Sequence, residues 1–160
     1  MALNLNLNVN YIDIDEFGTK IPSNKTIIYT TPFNQFPLGI KMTMPRKKEF
    51  SEFLNKTQSY LIEDDFDAEF RIKEANKTPI FSLSDRVIFF STFSMTMYPG
   101  LRISYFILPK ELRDKYILHY SGYSSSISNL DQLALAEYMK KHMDMYNNEN
   151  NNCKRSSMGR

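Results

Sequence analysis

The chain has 160 residues, 42% hydrophobic and 24% charged, enough for one domain with a core and too few for two of ordinary size. A formal net charge of +2 excludes a strong electrostatic claim on nucleic acid or membrane, and no apolar run approaches the ~18 residues of a membrane span. The lone cysteine, Cys153, excludes an internal disulfide, and the opening MALNLNLNVN lacks the basic start and continuous apolar stretch of a signal peptide; a cytoplasmic protein is the expectation.

In chain order, Leu3 to Asn10 alternates leucine and asparagine with period two, yet asparagine is a poor strand former, so residues 1–10 are read as an irregular entry. Lys25 to Thr31, KTIIYTT, is β-rich and stopped by Pro32, and predicts a buried strand. Pro45 to Ser59 carries Phe50, Phe53 and Leu54 among charges, a helical spacing with Pro45 near its first turn. Tyr60 to Glu63 and Arg86 to Ser91 predict two further strands, and Arg102 to Leu108 a fourth, stopped by Pro109. A helix follows from Pro109 through about His119, and another from Leu130 to about Met145. From Asn147 the polar tail NNENNNCKRSSMGR has nothing to bury and is expected to be disordered.

Strands that alternate with helical connections predict an α/β domain over residues 11–146. Continuous rather than alternating apolar strands predict that both sheet faces are covered. Sheets of this kind bind ligands outside the carboxyl ends of their strands. The acidic run EDDFDAEF follows the second strand, and the hydroxyl turn Ser91-Thr92-Phe93-Ser94 follows the third. If the strands are parallel, both fall at one end. Hydroxyls, turn amides and the guanidinium of Arg102 are what a phosphate monoester needs. Taken alone, the acidic run also suits a solvated loop or, less well, a hard-cation site. His119 and His142 stand on different predicted helices without metal-ligand spacing, and no metal is expected.

Three segments, in order, resemble the aminotransferase-like domain of the MocR/GabR-type regulators of the GntR superfamily, a fold type I pyridoxal-phosphate (PLP) domain. YTTPFNQFPLG, Tyr29 to Gly39, is similar to the family's TPSHQFPTG loop, with Asn34 where histidine is usual. IEDDFDAEF, Ile62 to Phe70, is similar to IEDDYDSEF. STFSMTMYPGLRISY, Ser91 to Tyr105, is similar to the segment around the cofactor lysine, with Met95 directly after the second hydroxyl, where that lysine stands. The likeness extends from about Tyr11 to about Met143.

The resemblance implies a three-layer, mostly parallel sheet, the middle of the large domain of a PLP-dependent transferase. It implies PLP as cofactor, with Asp64 at the carboxylate that pairs with the pyridine nitrogen. Gln35 would lie on the loop beside the ring, Thr92 and Ser94 near the phosphate, and Arg102 on it. Phe66 replaces a tyrosine whose hydroxyl reaches the cofactor's phenolic oxygen. Met95 cannot form the imine, so no catalytic residue is assigned, and a class I/II transaminase activity is not expected. The resemblance further implies an amino compound as ligand and a dimer partner. The family's DNA-binding winged helix, its glycine-containing phosphate loop and its small domain have no counterpart among these residues, so the expectation is a partial domain. A non-catalytic interaction module that keeps the fold is the alternative.

Overall fold

The computed structural model describes residues 7–35, 37–66, 78–94, 99–123, 125 and 127–141. Two compact units result, Met1–His119 and Tyr120–Arg160. The first opens with a small antiparallel hairpin, β1 (Ile14–Asp15) and β2 (Gly18–Thr19). The Asp15 carboxylate accepts the Phe17 amide at 2.9 Å and closes the turn, as aspartate does where the chain reverses. Gly18 has φ +115°, and a Cβ there would lie 2.9 Å from Met42 Cγ, so a side chain is excluded by conformation and by space.

Four strands form the main sheet, in the order β3 (Ile27–Thr30), β4 (Tyr60–Asp64), β5 (Val87–Thr92) and β6 (Ser104–Ile107). The first three run parallel and β6 is antiparallel to β5. The β3-to-β4 connection holds α1 (Met44–Thr57), long enough for a parallel crossover. By contrast the link from β5 to β6, residues 93–103 with a 3-10 turn at Pro99–Leu101, is too short for a parallel crossover, and the chain returns in the opposite direction.

α1 begins with Pro45 in its first turn, where a missing amide costs no helix bond, and ends at Gln58 in the left-handed conformation. Its buried stripe is Lys47, Phe50 and Leu54, spaced three and four apart. Phe50 and Leu54 pack with Ile28, Leu61, Val87, Ile80 and Met42 to make the core on one sheet face. Lys47 is 2% exposed. Its ammonium stands 3.7 Å from the Phe33 ring centre and donates to the Thr78 carbonyl at 2.9 Å, so the buried charge is solvated by protein. Arg46 fastens the β1–β2 hairpin to the helix, donating to Thr19 O at 2.8 Å and to Asp15 Oδ2 at 3.0 Å.

α2 (Lys110–Tyr120) meets the opposite face. Tyr60 donates its hydroxyl to Glu111 at 3.0 Å, and the Phe106 and Tyr116 rings meet edge-on. Ile27, Tyr29 and Phe90 of that face remain exposed. The two faces are therefore covered unequally by the described residues. Sequence pattern anticipated α1, α2 and all four sheet strands within one or two residues, and missed the hairpin.

The second unit holds a helix over 129–141. Ser128 caps it, its hydroxyl accepting the Asp131 amide at 3.1 Å and donating to the Asp131 carboxylate at 2.7 Å. No described helix is long and apolar enough to cross a membrane.

Candidate functional site at the carboxyl ends of the parallel strands

Side chains alternate between faces along a strand, and this sorts the acidic run. Tyr60, Ile62 and Asp64 leave β4 on the α2 side, while Leu61 and Glu63 leave it on the α1 side. Asp64 pairs in register with Phe90 of β5, and Thr92 follows two residues later on the same face. Because β4 and β5 are parallel, Asp64 and Thr92 emerge together at the carboxyl end of the sheet. The acid and the hydroxyl turn thus share one end.

The turn after β5 is tightly bonded. Thr92 Oγ1 donates to Ile103 O at 3.0 Å and accepts the Ser94 amide at 3.1 Å. The Phe93 amide donates to Ile103 O at 2.9 Å. Thr92 pairs with Ser104 at the end of the ladder, and Arg102 stands two residues before Ser104, just outside it. Arg102 has φ +49°, an uncommon backbone state for a residue with a side chain, and its side chain is exposed. Among the described residues its guanidinium makes no ion pair. Ser91 ties this turn to the acidic run, donating to Asp65 O at 2.7 Å.

Asp64 carries one hydrogen bond from a neighbouring strand: the Tyr29 hydroxyl donates to Oδ2 at 2.6 Å. Partial desolvation of the phenol, then the bond to Asp64 and its negative charge, push Tyr29 up to about 12.

Gln35 lies apart from this group. It is 1% exposed, and its amide nitrogen donates to Thr19 Oγ1 at 2.5 Å and Thr30 Oγ1 at 3.3 Å, on the α1 side of β3. Its Oε1 meets no donor among the described residues. Phe66 is partly buried just beyond β4. Met95, at the lysine position, lies outside the described residues.

Sequence reading missed Glu63, which it left inside a solvated acidic cluster. Glu63 is fully buried, and its two oxygens accept the Ile80 and Phe81 amides at 3.0 and 2.8 Å, at the start of a 3-10 turn, Ile80–Ser82. Desolvation outweighs those two bonds and the nearby Lys47 charge, and its carboxyl is raised to about 7. It belongs to the core, not to the site. Among the described residues no group of three or more His, Cys, Asp or Glu forms a metal centre.

At this end stand the Asp64 carboxylate, the Ser94 hydroxyl and the Arg102 guanidinium, while the Thr92 hydroxyl proton and the Phe93 and Ser94 amides are used within the turn itself. That donor set fits a ligand with a protonatable ring nitrogen and a phosphate, with one Asp64 oxygen held by Tyr29 and the other without a hydrogen-bond donor among the described residues.

The fold is that of the PLP-dependent aminotransferases. An archaeal alanine:glyoxylate aminotransferase superposes with a TM-score of 0.69 at 25% identity, covering 88% of this chain and 38% of its own. The homologues in sequence are HTH-type transcriptional regulators of the MocR kind, in the GntR family, and the chain corresponds to part of them. It is 38% identical over 143 residues to the uncharacterised HTH-type regulator YdeL of Bacillus subtilis, covering 84% of this chain and 30% of the relative. It is 32% identical over 119 residues to MocR, a probable rhizopine catabolism regulatory protein of Rhizobium meliloti, covering 72% of this chain and 24% of the relative. The chain therefore spans less than a third of the length of these relatives. No family model matches it.

Proposed function

We propose that this chain is the cofactor-holding part of an aminotransferase-like effector domain, and that it holds PLP through non-covalent contacts alone. The observation that carries this reading is the convergence of Asp64 and Thr92 at the carboxyl end of adjacent parallel strands, with Arg102 two residues before the Ser104 that pairs with Thr92. Asp64 would accept the ring nitrogen's proton-bearing edge. Ser94 would receive the phosphate through its hydroxyl and Arg102 by charge, and Thr92 would join them once its hydroxyl leaves the Ile103 carbonyl. Phe66 would pack without donating a hydroxyl, and Gln35, buried on the α1 side with Thr19 and Thr30, would support the proline loop rather than touch the cofactor. Bound there, the cofactor supplies an electron sink for an amino compound, the ligand class that the family resemblance implies.

Met95 supplies no amine. Neither the cofactor link nor the proton carrier that a lysine provides is available from this position, so transamination is absent. Titration with PLP and with pyridoxal, followed by borohydride reduction and peptide mapping, tests both halves. Arg102→Ala should weaken PLP binding about tenfold or more and leave pyridoxal unchanged, given what a charge-assisted hydrogen bond contributes. Met95→Lys should gain a reducible adduct at position 95 that the native chain lacks. Keto acid formed by the native chain above the rate of free PLP contradicts the proposal.

A second reading rests on the exposed Ile27, Tyr29 and Phe90 of the α2-side face. Here the fold serves as a non-catalytic interaction module, and Met95→Lys should change nothing in its association.

A further inference from the structure

The site holds a phenol that the motif comparison did not assign. Tyr29 stands one position before the end of β3, two residues before the proline loop begins. Register pairs it with Ile62, on the face that carries Asp64 two residues further along β4. From there its hydroxyl spans the strand gap to Asp64 Oδ2, at 2.6 Å. The ring is largely exposed, 61% for the residue, so packing against neighbours does not account for its orientation. The hydrogen bond does. Its length is that of a hydroxyl on an ionised carboxylate, a charge-assisted bond about twice as strong as one between neutral groups.

We propose that Tyr29 is the positioning residue of the cofactor site, donating to Oδ2 of Asp64 so that Oδ1 faces the ring nitrogen. The assignment rests on the reading of Asp64 as the ring-nitrogen carboxylate. A carboxylate on a strand end rotates about its terminal bond, and an unheld one presents its two oxygens interchangeably. One donor on Oδ2 fixes the plane and leaves a single acceptor. The same bond spreads the Asp64 charge over a phenol and lowers its tendency to be taken up by solvent. Tyr29 therefore restores a hydroxyl to a site in which Phe66 has none, although on the opposite partner: it serves the carboxylate rather than the cofactor oxygen.

The test uses two probes, PLP and its analogue with a carbon in place of the ring nitrogen, each titrated into the full chain and into Tyr29→Phe. The expected result is a loss of about tenfold for PLP and no change for the analogue, since only PLP uses the positioned oxygen. Equal losses for both probes, or no loss for PLP, overturn the assignment while leaving the cofactor reading intact. A native chain that binds neither probe overturns both. An independent measurement needs no change at Tyr29. In the ligand-free chain labelled at the tyrosine Cζ, the Tyr29 phenol should titrate up at about 12, through partial desolvation first and then the hydrogen bond to Asp64 and its charge. Asp64→Asn should lower it by the share that the Asp64 bond and charge contribute, leaving the part that desolvation sets. A Tyr29 resonance that ignores Asp64→Asn overturns the proposal.

Discussion

Two adjacent carboxylates, Glu63 and Asp64, have opposite fates because a strand turns alternate side chains to opposite faces. Asp64 reaches the open side and meets Tyr29; Glu63 enters the core and closes the 3-10 turn at Ile80–Ser82. Read as letters, the two are equal members of an acidic run. Read with the period of a strand, they are separable, and Glu63 was legible on that ground. The amides that receive it were not, since they lie 17 and 18 residues further along the chain. Lys47 is a parallel case: its spacing to Phe50 and Leu54 marks a buried stripe, but a charge at that place argues against burial until Phe33 and the Thr78 carbonyl are seen. Glu63 also sets a pH dependence. Its folded value is raised from 4.5 to about 7, so the folded chain holds this proton more tightly than the unfolded chain does. The stability that results is complete below about 4.5 and is lost as pH rises through about 7. Glu63→Gln should flatten that slope, worth about 3 kcal/mol in all. Urea unfolding across this range checks it, and a native chain whose stability rises between those limits contradicts it.

At the scale of elements, α1 and the β3–β4–β5 core were legible because each has enough residues for a period to register. The β1–β2 hairpin was not, since strands of two residues have no period. What makes the hairpin is Asp15 closing the turn, Gly18 against Met42 and Arg46 reaching back from α1, all tertiary facts. The antiparallel course of β6 follows from its short link to β5. α1 is anchored chiefly by Phe50 and Leu54, both fully buried. Leu54→Ala should cost about 2–5 kcal/mol through lost burial and the cavity left behind. Glu52→Ala, one turn face away and exposed, should stay within about 0.5 kcal/mol. Denaturant midpoints of the two variants decide this, and equal shifts would mean that α1 is not packed through that stripe.

For the whole molecule, the arrangement of the first unit explains why a site forms at one end only. Parallel β3, β4 and β5 send their carboxyl ends the same way, and the turn into β6 returns the chain beside them. Chemistry-bearing residues far apart in sequence are gathered there: Tyr29, Asp64, Thr92 and Arg102. Sequence motifs named three of the four. Tyr29 escaped because nothing local to a strand residue says which neighbour its hydroxyl will reach. The central claim is that these residues form a cofactor site although position 95 carries a thioether. The most direct measurement is the change in backbone and side-chain NMR resonances of the isotope-labelled full chain on titration with PLP. The account predicts saturable shifts concentrated at Tyr29, Asp64, Thr92, Ser94 and Arg102, without covalent modification of the chain. Shifts absent from these residues, or confined to the core around Phe50 and Leu54, would contradict it.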